Sequence, residues 1–159
     1  MRYLVLAICF LSLEALAEPQ SQDSFTLSSF SFNEPWEHYK VAIFSDGVTV
    51  LIIENDTYEA RSFQLPNTPE TFAQIIAALG HFKFDSFSDS YGLVNGVKDP
   101  KCKELWSHGN ISLFALQYDG KRKVVHYNHG CKGFGREEEL QELANRLKVI
   151  LGLSGYVGL

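Results

Sequence analysis

The two longest β-rich runs of this 159-residue chain each fold back on an Asp-Gly dipeptide. They are YKVAIFSDGVTVLIIE, with Asp46-Gly47 at its centre, and ISLFALQYDGKRKVVHY, with Asp119-Gly120. Asp-Gly is a preferred dipeptide of tight hairpin turns, because the glycine accepts a positive φ without steric cost. Each hairpin is followed by a helix. NTPETFAQIIAALG carries Thr68 as N-cap, Pro69 at the first helical position, Glu70 near the positive end of the dipole and Gly80 as the stop. Phe72, Ile75, Ile76 and Leu79 recur at helical spacing. REEELQELANRLKVILG places Leu140, Leu143, Leu147 and Ile150 along one face, with acids at its start and bases near its end. Hairpin-then-helix, occurring twice, implies an α+β fold: an antiparallel sheet of the two hairpins plus one or two further strands, with both helices on one face.

FTLSSFSF offers one of those further strands and YEARSFQL another, the third of a meander. If the first turn has two residues, Ile43 faces Val50 and Val41 faces Ile52; a bulged turn shifts this register by one. Under a two-residue second turn, Phe114, Leu116, Val125 and Tyr127 share one face. His126 then lies on the other, with Leu113, Ala115 and Val124. Phe82, Phe84, Phe87 and Tyr91 form an aromatic run after the first helix, and residues 92–110 read as a long irregular loop. Loops of that length in a compact domain are commonly tethered or functional.

The chain opens MRYLVLAICFLSLEALAEPQ. Arg2 precedes an apolar stretch from Tyr3 to Leu13, and Ala15 and Ala17 are the small residues a signal peptidase reads. Residues 1–17 are therefore expected to be a secretory signal peptide cleaved between Ala17 and Glu18. The apolar run is too short to span a bilayer. Ile8 before Cys9 is too large for a lipoprotein anchor. The reading is an exported protein, secreted or periplasmic, with a flexible lead-in at 18–24, a single domain over 25–159 and no membrane span. A net charge of −5 with no basic run makes nucleic acid an unsuitable partner.

Cleavage removes Cys9 and leaves Cys102 and Cys131. Two thiols in an oxidising compartment pair, so a disulfide is expected. It would close a loop of about 30 residues and contribute about 3–4 kcal/mol.

The segment VVHYNHGCKG raises two sharper readings. His108, His126 and His129, completed by Cys131 or Asp99, would make a tetrahedral metal site; residues three apart on a strand point to opposite faces, which opposes it. Cys131 with a histidine base would make a nucleophile, but its pairing with Cys102 removes the thiolate. GCKGFG lacks the phosphate-loop spacing, and Glu137, Glu138 and Glu139 at the helix start repel a phosphate. Neither Gly-x-Ser-x-Gly nor His-Glu-x-x-His occurs. Asp85, Asp89 and Glu54 are acids without a defined pairing, and Phe82, Phe84 and Phe87 suit a core better than a groove.

The stretches YKVAIFSDGVTV, FKFDSFSDSY and QYDGKRKVVHYNHGCKG resemble a family of small exported bacterial domains of unknown function. In that family a strand, a Gly-containing turn and a Thr-Val-rich strand precede a helix, a Phe-rich run, a second hairpin and a leucine-rich helix. The resemblance implies secretion and an α+β fold, and no activity. It departs at the opening, where NEPWEHY carries no cysteines. Its bacterial setting makes the sequons at Asn55 and Asn110 chance occurrences. The functional expectation is a non-catalytic module without cofactor that binds a protein or small molecule. Trp106, His108, Tyr127 and His129 are the candidate contacts; the alternative is an envelope metal-binding protein or hydrolase using His108, His126 and His129.

Overall fold

The computed structural model describes residues 22–31, 37–55, 60–106 and 109–156. The expected signal peptide, most of the lead-in and His108 lie outside the described residues. Seven strands form one sheet among the described residues, in the order β4-β3-β2-β1-β9-β10-β5. They are β1 (Ser24–Phe30), β2 (Glu37–Phe44), β3 (Thr49–Asn55), β4 (Ala60–Gln64), β5 (Ser90–Tyr91), β9 (Ile111–Tyr118) and β10 (Lys121–Asn128). Two short ribbons stand apart, β6 (Leu93–Val94) with β7 (Val97–Lys98), and β8 (Glu104–Leu105) with β11 (Cys131–Lys132). Helices α1 (Pro69–His81) and α2 (Glu137–Ile150) cover one face, giving the expected α+β architecture.

The two hairpins do not meet edge to edge. SFTLSSF, the strand β1, lies between them as the central strand, antiparallel to both neighbours, with Leu27 opposite Val41 on one side and Phe114 on the other. Its inward residues, Phe25 and Leu27, are buried, while Thr26 and Ser28 line the helix-free face. One strand more joins the sheet than expected: β5 pairs parallel with β10 through His126 and Tyr127.

The hairpins differ although their turn dipeptides match. The second is a two-residue turn in which Asp119 and Gly120 both take positive φ, 49° and 70°, and Val125 pairs with Phe114 as expected. The first adopts the bulged alternative. Phe44 N–H donates to Val48 O, and Ile43 pairs with Thr49 and Val41 with Leu51. Val41, Ile43, Leu51 and Ile53 thereby face the core, and Val50 and Ile52 turn to the other side. Gly47 explains the choice. A Cβ there would lie 2.4 Å from the carbonyl carbon of Thr68, so the turn packs directly on the start of α1.

At the other end of α1, Gly80 does not stop the helix. The helix continues to His81, and Lys83 takes the left-handed conformation, φ 50°. This inverts the usual arrangement, in which a glycine occupies the left-handed position after the last turn. A helical glycine costs about 0.5–1 kcal/mol relative to alanine, and a left-handed non-glycine about 1–2 kcal/mol. Arg136 braces the turn from behind. Its guanidinium donates to Phe82 O and Ser86 Oγ, each at 2.6 Å, and lies 3.9 Å from the Phe87 ring centroid.

The core is continuous. Phe72, Ile75 and Leu79 of α1 join Leu140, Leu143 and Leu147 of α2, the inward residues of β1–β3, β9 and β10, and Phe82, Phe84, Phe87 and Tyr91. The aromatic run is therefore core rather than groove.

Candidate functional site

Residues 92–106 leave the sheet edge after β5 and end in β8, which pairs with β11 in a ribbon separate from the main sheet. The sequence suggests an irregular loop, but this segment carries one ribbon of its own, β6–β7, and contributes β8 to a second with β11. The β6–β7 turn is Asn95-Gly96, both at positive φ (52° and 78°), the same turn chemistry as the second hairpin. Next, Asp99 is buried and organises a reverse turn. Its backbone O accepts from Cys102 N–H at 3.0 Å, and its carboxylate accepts from Lys101 N–H and from Lys101 Nζ at 2.9–3.0 Å. Burial pushes the Asp99 carboxyl up, and the Lys101 backbone and ammonium contacts more than offset it, leaving it below its ordinary value.

Cys102 and Cys131 are joined, their Cα atoms 5.1 Å apart. Both sulfurs are buried, and on either side of the bridge Lys103 N–H donates to Lys132 O and Trp106 N–H to Gly130 O. The approach of chain to chain is close enough to require glycine. A Cβ on Gly130 would meet Trp106 O at 2.2 Å, and one on Gly109 would meet Gly130 N at 2.2 Å. The connector GCKGFG is closed by a carboxylate rather than a phosphate: Glu137 Oε2 accepts from Gly133 N–H at 2.7 Å and Glu137 Oε1 from Lys132 Nζ at 3.0 Å.

The expected contact residues separate. Trp106 stands 65% exposed, whereas Tyr127 is 0% exposed and belongs to the core, its hydroxyl 3.1 Å from Gln141 Nε2. His129 stacks on the Tyr127 ring with centroids 4.4 Å apart, and its Nε2 lies 2.8 Å from Ser112 Oγ. Burial, then the nearby Lys148 and Lys132 ammoniums, lowers its pKa to about 4, so the ring is neutral near pH 7. Lys148 is itself lowered by burial. His126 points the other way, into a depression of about 560 Å³ on the helix-free face beside Leu113 and Arg122. His126 and His129 thus diverge, and among the described residues no group of three or more His, Cys, Asp or Glu could hold a metal.

Ser112 and His129 have the separation of a nucleophile and its base. Ser112 is, however, only 3% exposed, and no carboxylate among the described residues hydrogen-bonds the ring. The pair satisfies a buried hydroxyl and a part-buried ring.

What sequence reasoning missed on this segment is its apolar surface. Leu93 is 57% exposed and Val97 68%, flanking the Asn95-Gly96 turn. Asn-Gly between Leu93-Val94 and Val97 is itself a hairpin signal and would have found them. No protein-family model matches the chain, and no curated protein aligns with it.

Proposed function

We propose that this protein is an exported binding module that holds a protein partner through segment 92–106, with Leu93, Val97 and Trp106 as the contact residues. One observation carries the reading: three large apolar side chains stand more than half exposed on one short segment whose backbone is fastened by a disulfide, two ribbons and the buried Asp99 turn. Apolar groups held rigidly in water lose little conformational entropy on docking, and tryptophan is the residue most enriched among binding hot spots. Export supports the same reading, since the bridge persists in an oxidising compartment.

The test compares immobilised wild-type protein with the double variant Val97→Ser, Trp106→Ala in extracts of the compartment from which the protein is recovered. Partners retained by the wild type are expected to be lost by the variant, with thermal stability unchanged because neither side chain is in the core. Identical retention by both proteins would refute the assignment.

A further inference from the structure

The helix-free face of the sheet holds a depression whose shape follows from the strand register. Lys40 of β2 stands opposite Ser28 of β1, Ser28 opposite Leu113 of β9, and Leu113 opposite His126 of β10. These residues make one row across the sheet, its ends three strand spacings apart, about 14 Å. One step along the strands, Thr26 faces Ala115. Short side chains, Ser28, Thr26 and Ala115, thus form the middle of the floor, and longer ones such as Lys40, Phe30, His126 and Arg122 rise around it. The volume is about 560 Å³, within the range of about 300–1,000 Å³ typical of small-molecule sites.

Charge decides what fits. No carboxylate lines the depression. Among the described residues, the only acid that the strands turn to this face is Glu54, opposite His38, and its carboxylate is engaged by His38 Nδ1 at 3.3 Å. The Lys40 ammonium and the Arg122 guanidinium form neither a hydrogen bond nor an ion pair among the described residues. Near the turn that precedes Arg122, Asp119 N–H donates to Asp23 Oδ1, and neither acid pairs with Arg122. Two permanent cations without partners, around a hollow free of acids, select an anionic ligand in a chain of net charge −5.

The two cations stand too far apart to share one charge. Arg122 opposes Gln117, two rows along the strands from Lys40 and three strands across. Strand spacing and rise put their Cα atoms about 20 Å apart. The line between them crosses the Thr26–Ala115 pair, a floor of methyl groups bordered by Leu113. Strands β1, β2 and β9 are each paired on both sides, so their main chain is already committed and side chains alone meet a ligand. A second copy laid on this face would set cation against cation. We propose that the helix-free face binds an elongated molecule, anionic at both ends and apolar between them, of the class of long-chain dicarboxylates. One end lies at Lys40, the other at Arg122, and the body over Thr26 and Ala115.

Decanedioate, decanoate and hexaglutamate serve as probes with two anionic ends, with one, and with charge but no apolar body, followed by amide NMR shifts of the whole protein. Decanedioate is expected to give saturable shifts centred on Thr26, Ser28 and Ala115, with an affinity about fivefold above that of decanoate. Lys40→Gln and Arg122→Gln are each expected to remove that advantage while leaving decanoate within about twofold. Ala115→Phe fills the floor with a good strand former. It is expected to abolish saturation without lowering the melting temperature. Absence of saturation in the wild type up to about 10 mM, shifts centred elsewhere, or full affinity in Ala115→Phe overturns the site. Equal affinity for decanedioate and decanoate overturns the two-ended ligand. Hexaglutamate binding as tightly as decanedioate overturns the apolar body and gives the face to an acidic protein. Dimerisation that Ala115→Phe abolishes gives it to a second copy and overturns the ligand.

Discussion

His129 shows how much a single side chain can couple to its surroundings. Its ring lies on Tyr127, accepts or donates at Ser112, and has two lysines rather than a carboxylate for electrostatic company. In the unfolded chain the ring protonates near its ordinary value of 6.5, whereas in the folded chain it resists until about pH 4. Between those limits the unfolded state binds the extra proton. Stability therefore rises with pH across the window and is lost as pH falls, by on the order of 3 kcal/mol once the ring is forced to ionise. Urea unfolding at pH 7 and pH 4.5 should show this loss in the wild type and a smaller one in His129→Gln, which keeps a partner for Ser112. Equal losses would place the acid sensitivity elsewhere. None of this was readable from VVHYNHGCKG. The alternation correctly put His126 and Tyr127 on opposite faces, but nothing local says that Asn110 O captures the His129 N–H and turns its ring toward Ser112.

Among the elements, α1 is the most informative because its two ends obey different masters. The N-terminal end follows local chemistry, with Pro69 first in the helix and Thr71 Oγ1 accepting from Thr68 N–H at 3.2 Å. Its C-terminal end contradicts local chemistry at Gly80 and Lys83. Gly80→Ala should stabilise the protein by about 0.5–1 kcal/mol, since its Cβ meets open space. Lys83→Gly should add about 0.5–1 kcal/mol by relieving the left-handed lysine. Denaturant midpoints measure both, and a destabilisation by either would mean the helix end is held by contacts not identified above. The hairpins teach the same lesson. Asp-Gly announced each turn, yet loop length differed because Gly47 is pressed against Thr68, a neighbour distant in sequence. Register in that hairpin is a tertiary property, and so is the identity of β1 as the central strand.

At the level of the whole molecule, a disulfide joins the apolar-bearing segment to Cys131 of β11, just beyond the second hairpin, across 29 residues. Both cysteines were legible from counting alone once Cys9 is assigned to the leader. The ribbons around them were not, because two-residue strands carry no periodicity. Replacing both cysteines by alanine should cost about 3–4 kcal/mol, chiefly by releasing the unfolded chain. The denaturant dependence should steepen as the reduced unfolded state expands. An unchanged midpoint in urea would mean that hydrogen bonds such as Trp106 N–H to Gly130 O already hold the segment without the bridge.

The position of β1 has a consequence for biogenesis. It is synthesised before every other strand, yet Leu27 cannot meet Phe114 until most of the polypeptide has followed it. Until then its free edge waits beside a three-strand meander, a template for pairing with another chain. The middle of the sheet therefore closes late, in one step, once the second hairpin has been made.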